Sequence, residues 1–154
     1  MVYFKITKGK YRDKKDIFHV LHYILDEKKN PHGVHNVYNM NVETVEKRAK
    51  QYEIVQEEYR KTSGKRILHM IISYEENCPY SYYELEYVGD KMVKFFDGYQ
   101  VTYSLHEKDK NQVDVQPHIH VAVNPINYRT GERLRIDKKM LRELKKYLSD
   151  LLID

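Results

Sequence analysis

The sequence predicts an α+β fold, an antiparallel sheet of about five strands with helices packed on it. Three observations predict it. Short β-branched or alternating runs stand at Val2 to Thr7, Ile67 to Tyr74, Tyr99 to Leu105 and Pro117 to Ile126. Longer stretches carry apolar residues at helical spacing, Met140, Leu141, Leu144, Leu148 and Leu151 most clearly. The order of elements ends in a β-hairpin followed by a helix, which suits an antiparallel sheet covered by helices.

A chain of 154 residues is expected to form one domain, residues 1–154, long enough to bury a core. With 32% charged residues, and no apolar run near the roughly 18 residues of a membrane-spanning helix, it reads as a soluble protein. The start, Met1-Val2-Tyr3-Phe4-Lys5, lacks the apolar core of a secretory signal, so the expected compartment is the cytoplasm. The lone Cys78 fits that compartment and excludes an intramolecular disulfide or a cysteine-cluster zinc site.

The elements follow in order. After the first strand, Lys8-Gly9-Lys10-Tyr11-Arg12 forms a basic turn, and Asp13 caps a helix expected to run to about Lys29, where Asn30-Pro31-His32-Gly33 stops it. Ile17, Val20, Leu21 and Ile24 make its buried stripe, with Tyr23 at the flank, four residues after His19. Val34 to Met40 lacks periodicity and reads as a loop. Asn41 is the expected cap of a second helix carrying Val45, Ala49, Tyr52 and Tyr59 and ending at Ser63-Gly64. The strand to Tyr74 holds one odd member, His69, either a core histidine or a residue beneath an active face.

Cys78 and Pro79 break that strand, and Tyr82 to Phe96 makes a third helix, closed by Gly98. In the next strand Gln100, Thr102 and Ser104 face one way, Val101, Tyr103 and Leu105 the other, and His106 continues the polar side. Glu107 to Gln116 is expected to protrude as a hairpin connection. Pro117 to Ile126 follows, then a turn at Asn127-Tyr128-Arg129-Thr130-Gly131 and a short edge strand at Arg133 to Ile136. Asp137 caps the last helix.

The chemistry gathers on Pro117-His118-Ile119-His120-Val121-Ala122-Val123-Asn124. Alternation along a strand puts His118 and His120 on one face and Ile119, Val121 and Val123 on the other. A hairpin would bring His106 beside them. Three neutral imidazoles on a rigid sheet make a site for a divalent transition metal, with open positions for a substrate oxygen. Such an ion would polarise a phosphoryl oxygen. The sequence has no serine elbow, so a tyrosine is the expected nucleophile, and Tyr23 and Tyr147 both qualify on position.

The formal net charge of +4, with 27 Lys and Arg beside 15 Tyr and no Trp, permits nucleic-acid binding through phosphate contacts and base stacking. Lys8, Lys10, Arg12, Lys14 and Lys15 gather before and in the first helix, and Arg129, Arg133 and Arg135 gather after the histidine strand.

A histidine closing one strand, followed by Pro-His-Ile-His-Val-Ala-Val-Asn on the next, resembles the third motif of the relaxases, the mobilisation and conjugative members of the HUH endonucleases. His22-Tyr23-Ile24, with Lys28 and Lys29 beyond it, resembles the relaxase tyrosine motif. His69 to Tyr74, reading HMIISY, is similar to the family's strand of a histidine, apolar residues and Ser-Phe. The gap from His106 to His118 holds eleven residues, several more than the usual relaxase spacing.

The resemblance implies an HUH endonuclease-like fold and a strand-specific DNA nicking and joining enzyme acting at a plasmid or mobile-element transfer origin. By the same resemblance His106, His118 and His120 would hold Mn²⁺ or Mg²⁺, with Zn²⁺ as an alternative. Tyr23 would attack the scissile phosphate to leave a 5′-phosphotyrosine and a free 3′-OH. Relaxases place the tyrosine ahead of the histidine motif, which favours Tyr23. Rolling-circle replication and transposition enzymes place it after, which would favour Tyr147. Lys8, Lys10, Arg12 and Arg129 are the expected DNA contacts. The implied partners are single-stranded or hairpin DNA and accessory relaxosome proteins, with no membrane involved. Relaxases commonly continue into further C-terminal regions, so the chain would be either a trimmed domain or a minimal enzyme.

Overall fold

The computed structural model describes residues 2–26, 28–29, 35–40, 44–74, 81–108, 111 and 113–151. Among these the elements run β1 (Val2–Ile6), α1 (Lys14–Ile24), β2 (His35–Tyr38), α2 (Val45–Glu58), β3 (Leu68–Tyr74), α3 (Tyr82–Phe95), β4 (Val101–Lys108), β5 (Asp114–Val123) and α4 (Lys138–Leu151). The five strands form one sheet in the order β1-β3-β5-β4-β2, and every pairing is antiparallel. This is the α+β architecture expected from the sequence. No described helix is long and apolar enough to cross a membrane.

Strand alternation gives the sheet two different faces. On one, Leu68, Met70 and Ile72 of β3, Val101, Tyr103 and Leu105 of β4 and Ile119, Val121 and Val123 of β5 pack against α3 and α4. On the other, Ile17, Val20, Leu21 and Ile24 of α1 meet Ala49 and Tyr52 of α2 over Ala122. The second face is where β4 and β5 carry their polar residues, so α1 lies over a layer containing Thr102, Ser104, His106 and His120, all buried. β5 sits between β3 and β4, so its residues are held from both sides.

Asp13 caps α1 as expected, accepting from the Lys15 amide within a reciprocal capping box with Asp16. The helix is shorter than expected. It ends at Ile24, because Leu25 leaves helical geometry and Asp26 turns back to bind the Lys28 amide and the Lys29 ammonium. α2 is capped by Thr44, whose side chain accepts from the Lys47 amide, while the expected cap Asn41 lies outside the described residues. It closes at Tyr59 rather than at Ser63-Gly64. Arg60 adopts φ +56, and the amides of Arg60 and Lys61 return to the carbonyls of Glu57 and Gln56, a Schellman closure without glycine.

Three strand expectations are corrected. The segment read as a loop contains β2, which pairs with β4 at the sheet edge. Tyr38 and Tyr103 stack and share the Asp90 carboxylate of α3, so tertiary contacts rather than periodicity hold this strand. The hairpin connection is shorter than expected, since β4 continues to Lys108 and β5 begins at Asp114, with a bulge between His106 and Lys108. Arg133 to Ile136 is not a strand. Only Arg133 forms a bridge, to Ile126, and its guanidinium is spent on the Ser63 and Lys65 carbonyls. The breaks expected at Asn30 to Gly33 and at Cys78-Pro79 lie outside the described residues.

Candidate active site

The β4–β5 register places His106 directly opposite His118, with His120 opposite Ser104 one pleat further along. The three imidazoles therefore share the face beneath α1. The His106 and His120 ring centroids are 3.9 Å apart, and those of His118 and His120 are 4.9 Å apart. One nitrogen from each ring lies within 4.8 Å of the others.

Hydrogen bonds at the back of two of the rings decide which nitrogen faces inward. A carbonyl can only accept, so His106 Nε2 donates to the Ile24 carbonyl at 2.7 Å and His118 Nδ1 donates to the Gln116 carbonyl at 2.9 Å. These bonds leave His106 Nδ1 and His118 Nε2 without protons in the neutral rings. The Ile24 carbonyl belongs to the last turn of α1, where helical carbonyls lack partners, so one bond both closes the helix and fixes a ring.

His106 Nδ1 is buried and has no hydrogen-bond partner among the described residues. A buried bare imidazole nitrogen next to two more is a donor set that fits a divalent ion. Burial also keeps His69, His106 and His120 neutral. It pushes His106 and His69 down to about 4 and drives His120 lower still, with the neighbouring imidazoles adding to the effect.

α1 brings Tyr23 onto this cluster from above. Its ring centroid lies 5.5 Å from His120, 5.7 Å from His106 and 6.1 Å from His69. Tyr23 is 37% exposed, so a ligand can reach it from solvent while its ring rests on the histidines. The Lys29 ammonium sits 5.1 Å from the centre of the same ring and 3.0 Å from Asp26. A cleft of about 390 Å³ opens beside Tyr23, walled by Thr7, Tyr11, Asp16, His19 and His69.

Tyr147 does not share this place. It lies on α4, against the opposite face of the sheet, where its hydroxyl donates to the Lys91 carbonyl at 2.8 Å and its ring meets Phe95. Lys8, Lys10 and Arg12 are exposed around Tyr11 in the loop leading into α1. Arg129 is set apart in the turn after β5, 3.4 Å from Asp97, and does not line the cleft.

Two residues of this site were hidden or ambiguous in the sequence. Lys29 is buried because the chain folds back after α1, and no local pattern foretells that. His69 was the odd polar member of an apolar strand. Its Nε2 lies 2.8 Å from His120 Nδ1. Its alternation with Ile71, which pairs with His120, was the available signal.

A phenol resting on three converging imidazoles, on an antiparallel sheet and beside an open cleft, is an arrangement suited to nucleophilic phosphoryl transfer at a metal. The family model described as relaxase, MobA/VirD2-like, nuclease domain, matches residues 23–153, and the chain belongs to that family. Membership carries DNA nicking through a tyrosine at the level of the family. Comparison with curated proteins and with solved structures gave no match.

Proposed function

We propose that this chain, acting as one nuclease domain, nicks and rejoins a single DNA strand at the transfer origin of a plasmid or mobile element in the cytoplasm. Tyr23 is the nucleophile in this reading. The observation that carries it is the Tyr23 ring lying within 6 Å of both His106 and His120 in a relaxase-family chain.

His106, His118 and His120 would hold a divalent ion, Mn²⁺ or Mg²⁺ with Zn²⁺ as the alternative, which when bound supplies a Lewis acid for a phosphoryl oxygen. The chain's own residues do the rest. The Tyr23 hydroxyl attacks phosphorus, the bond from phosphorus to the 3′ oxygen breaks, and the phenol's proton is made good on the leaving 3′ oxygen. The products are a 5′-phosphotyrosine and a free 3′-OH, with one phosphoester exchanged for another, so the reverse reaction reseals the strand. Lys29, paired with Asp26, sets its ammonium 5.1 Å from the centre of the Tyr23 ring.

Lys8, Lys10 and Arg12 are assigned to the phosphates of the strand entering the cleft, where exposed cations release counterions on binding. Arg129, further off, would touch only a longer strand or a hairpin. Accessory relaxosome proteins would present the origin.

The test uses tiled single-stranded oligonucleotides from the DNA that carries the gene, incubated with the protein and Mn²⁺. Site-specific cleavage is expected, abolished by chelator and reduced at least about 100-fold in His118→Ala, a loss within the range for groups that stabilise transition-state charge. Binding without cleavage of any oligonucleotide would instead favour a single-stranded DNA-binding module without turnover. Cleavage that persists in chelator would remove the metal from the mechanism.

A further inference from the structure

His69 is buried on β3, the neighbour of β5, and among the described residues its ring finds its hydrogen-bond partner in His120, at 2.8 Å. The proton positions around this contact follow from the others. His118 Nδ1 donates to the Gln116 carbonyl, so in the neutral ring His118 Nε2 is bare. It lies 3.1 Å from His120 Nε2, and a hydrogen bond there needs the proton on His120. His120 Nδ1 is then bare, and the 2.8 Å contact needs its proton on His69 Nε2. Without an ion, the chain of donation runs from His69 to His120 to His118.

An ion held on His120 Nε2 cannot coexist with a proton on that atom. The proton of the neutral His120 ring must then sit on Nδ1, where it faces His69 Nε2. Two protons cannot share that contact, so His69 must shift its own proton to Nδ1 and accept. Each ring keeps one proton throughout, and none is released.

We propose that His69 is the positioning residue of the metal centre, a partner whose hydrogen bond to His120 reverses direction when an ion binds. This rests on the metal reading of the triad given above. Histidine suits the position because one nitrogen can either donate or accept, whereas a carboxylate could only accept and a lysine only donate. Outer partners of this kind orient a metal-binding imidazole, and losing one typically weakens metal affinity about 10–100-fold.

The experiment combines Zn²⁺ and Mn²⁺ titration calorimetry with imidazole ¹⁵N spectra of the protein at pH 7.5, chelator-treated and then Zn²⁺-loaded. In the wild type, the His120 proton is expected on Nε2 without Zn²⁺ and on Nδ1 with it. His69→Gln, whose amide can turn either its oxygen or its NH₂ to His120, is expected to bind within about 3-fold of wild type. His69→Leu, which packs but cannot hydrogen-bond, is expected to bind about 10–100-fold more weakly. Equal affinity in wild type and His69→Leu would overturn the assignment, as would a His120 proton on the same nitrogen in both spectra. The spectra need no variant, so a misfolded His69→Leu leaves the test intact. Equal affinity, or a His120 proton on Nδ1 in both spectra, leaves the triad reading standing, whereas a proton kept on Nε2 in the Zn²⁺-loaded protein would take His120 out of the ligand set as well. A wild type that takes up neither ion ends both.

Discussion

Asn124 closes the strand that carries His118 and His120, and its side chain is spent entirely on the protein. Its amide donates to Gln100 Oε1 at 2.8 Å and to the Tyr52 carbonyl at 3.2 Å, while its oxygen accepts from Gln56 Nε2 and the Ile126 amide. The residue is fully buried, so Asn124→Ala would strand Gln100 Oε1 and the Ile126 amide away from water. A loss of about 2–4 kcal/mol in urea unfolding is expected, and a loss below about 0.5 kcal/mol would contradict the network's role. At this scale the sequence was informative where alternation alone sufficed. The shared face of His118 and His120, and the polar side of the strand ending in His106, were legible from a period of two. The partners of Asn124 were not, because they come from α2 and from Gln100 just ahead of β4, which no local pattern brings together.

The helices illustrate what packing adds to local signals. Gly89 lies inside α3, where alanine would ordinarily gain helix propensity. A Cβ there would stand 2.6 Å from the Tyr103 ring, which is itself buried and stacked on Tyr38. Gly89→Ala is therefore expected to destabilise by about 1–3 kcal/mol rather than to stabilise, read as a lower thermal midpoint, and a raised midpoint would contradict this packing. The same contact explains why β2 escaped the sequence. Its attachment depends on Tyr38, Tyr103 and Asp90, residues of three separate elements. The apolar stripes of α1, α3 and α4 were readable because each buries one face. The end of α2 was not, because a left-handed arginine leaves no glycine signature.

For the molecule as a whole, the two faces of the sheet have separate tasks. α3 and α4 cover an apolar face, while α1 and α2 cover one that buries His69, His106 and His120 beside Tyr23. The second face makes stability depend on pH. His69 and His106 are held near 4 in the folded protein against about 6.5 in the unfolded chain. Between those values the unfolded state binds more protons, so this contribution is complete above about pH 6.5 and is lost as pH falls toward 4. Asp26, lowered chiefly by its bond from Lys29, titrates below that window. The urea midpoint of chelator-treated protein is expected to fall from pH 7.5 to pH 5, and less so in His69→Gln. A midpoint that holds steady or rises would contradict the burial of neutral imidazoles.

The face assignment also separates the two candidate nucleophiles, since Tyr147 is bonded to α3 on the far side of the sheet. The sequence left that choice to motif order, because the distance between Tyr23 and the histidine strand, some hundred residues along the chain, closes only when α1 lies down on β4 and β5. The measurement that bears most directly on the account is therefore to trap the protein on a cleavable single-stranded oligonucleotide with Mn²⁺, digest it, and locate the covalent nucleotide by mass spectrometry. The nucleotide is expected on the peptide containing Tyr23, with no adduct formed by Tyr23→Phe. An adduct on Tyr147, or an undiminished one in Tyr23→Phe, would contradict it.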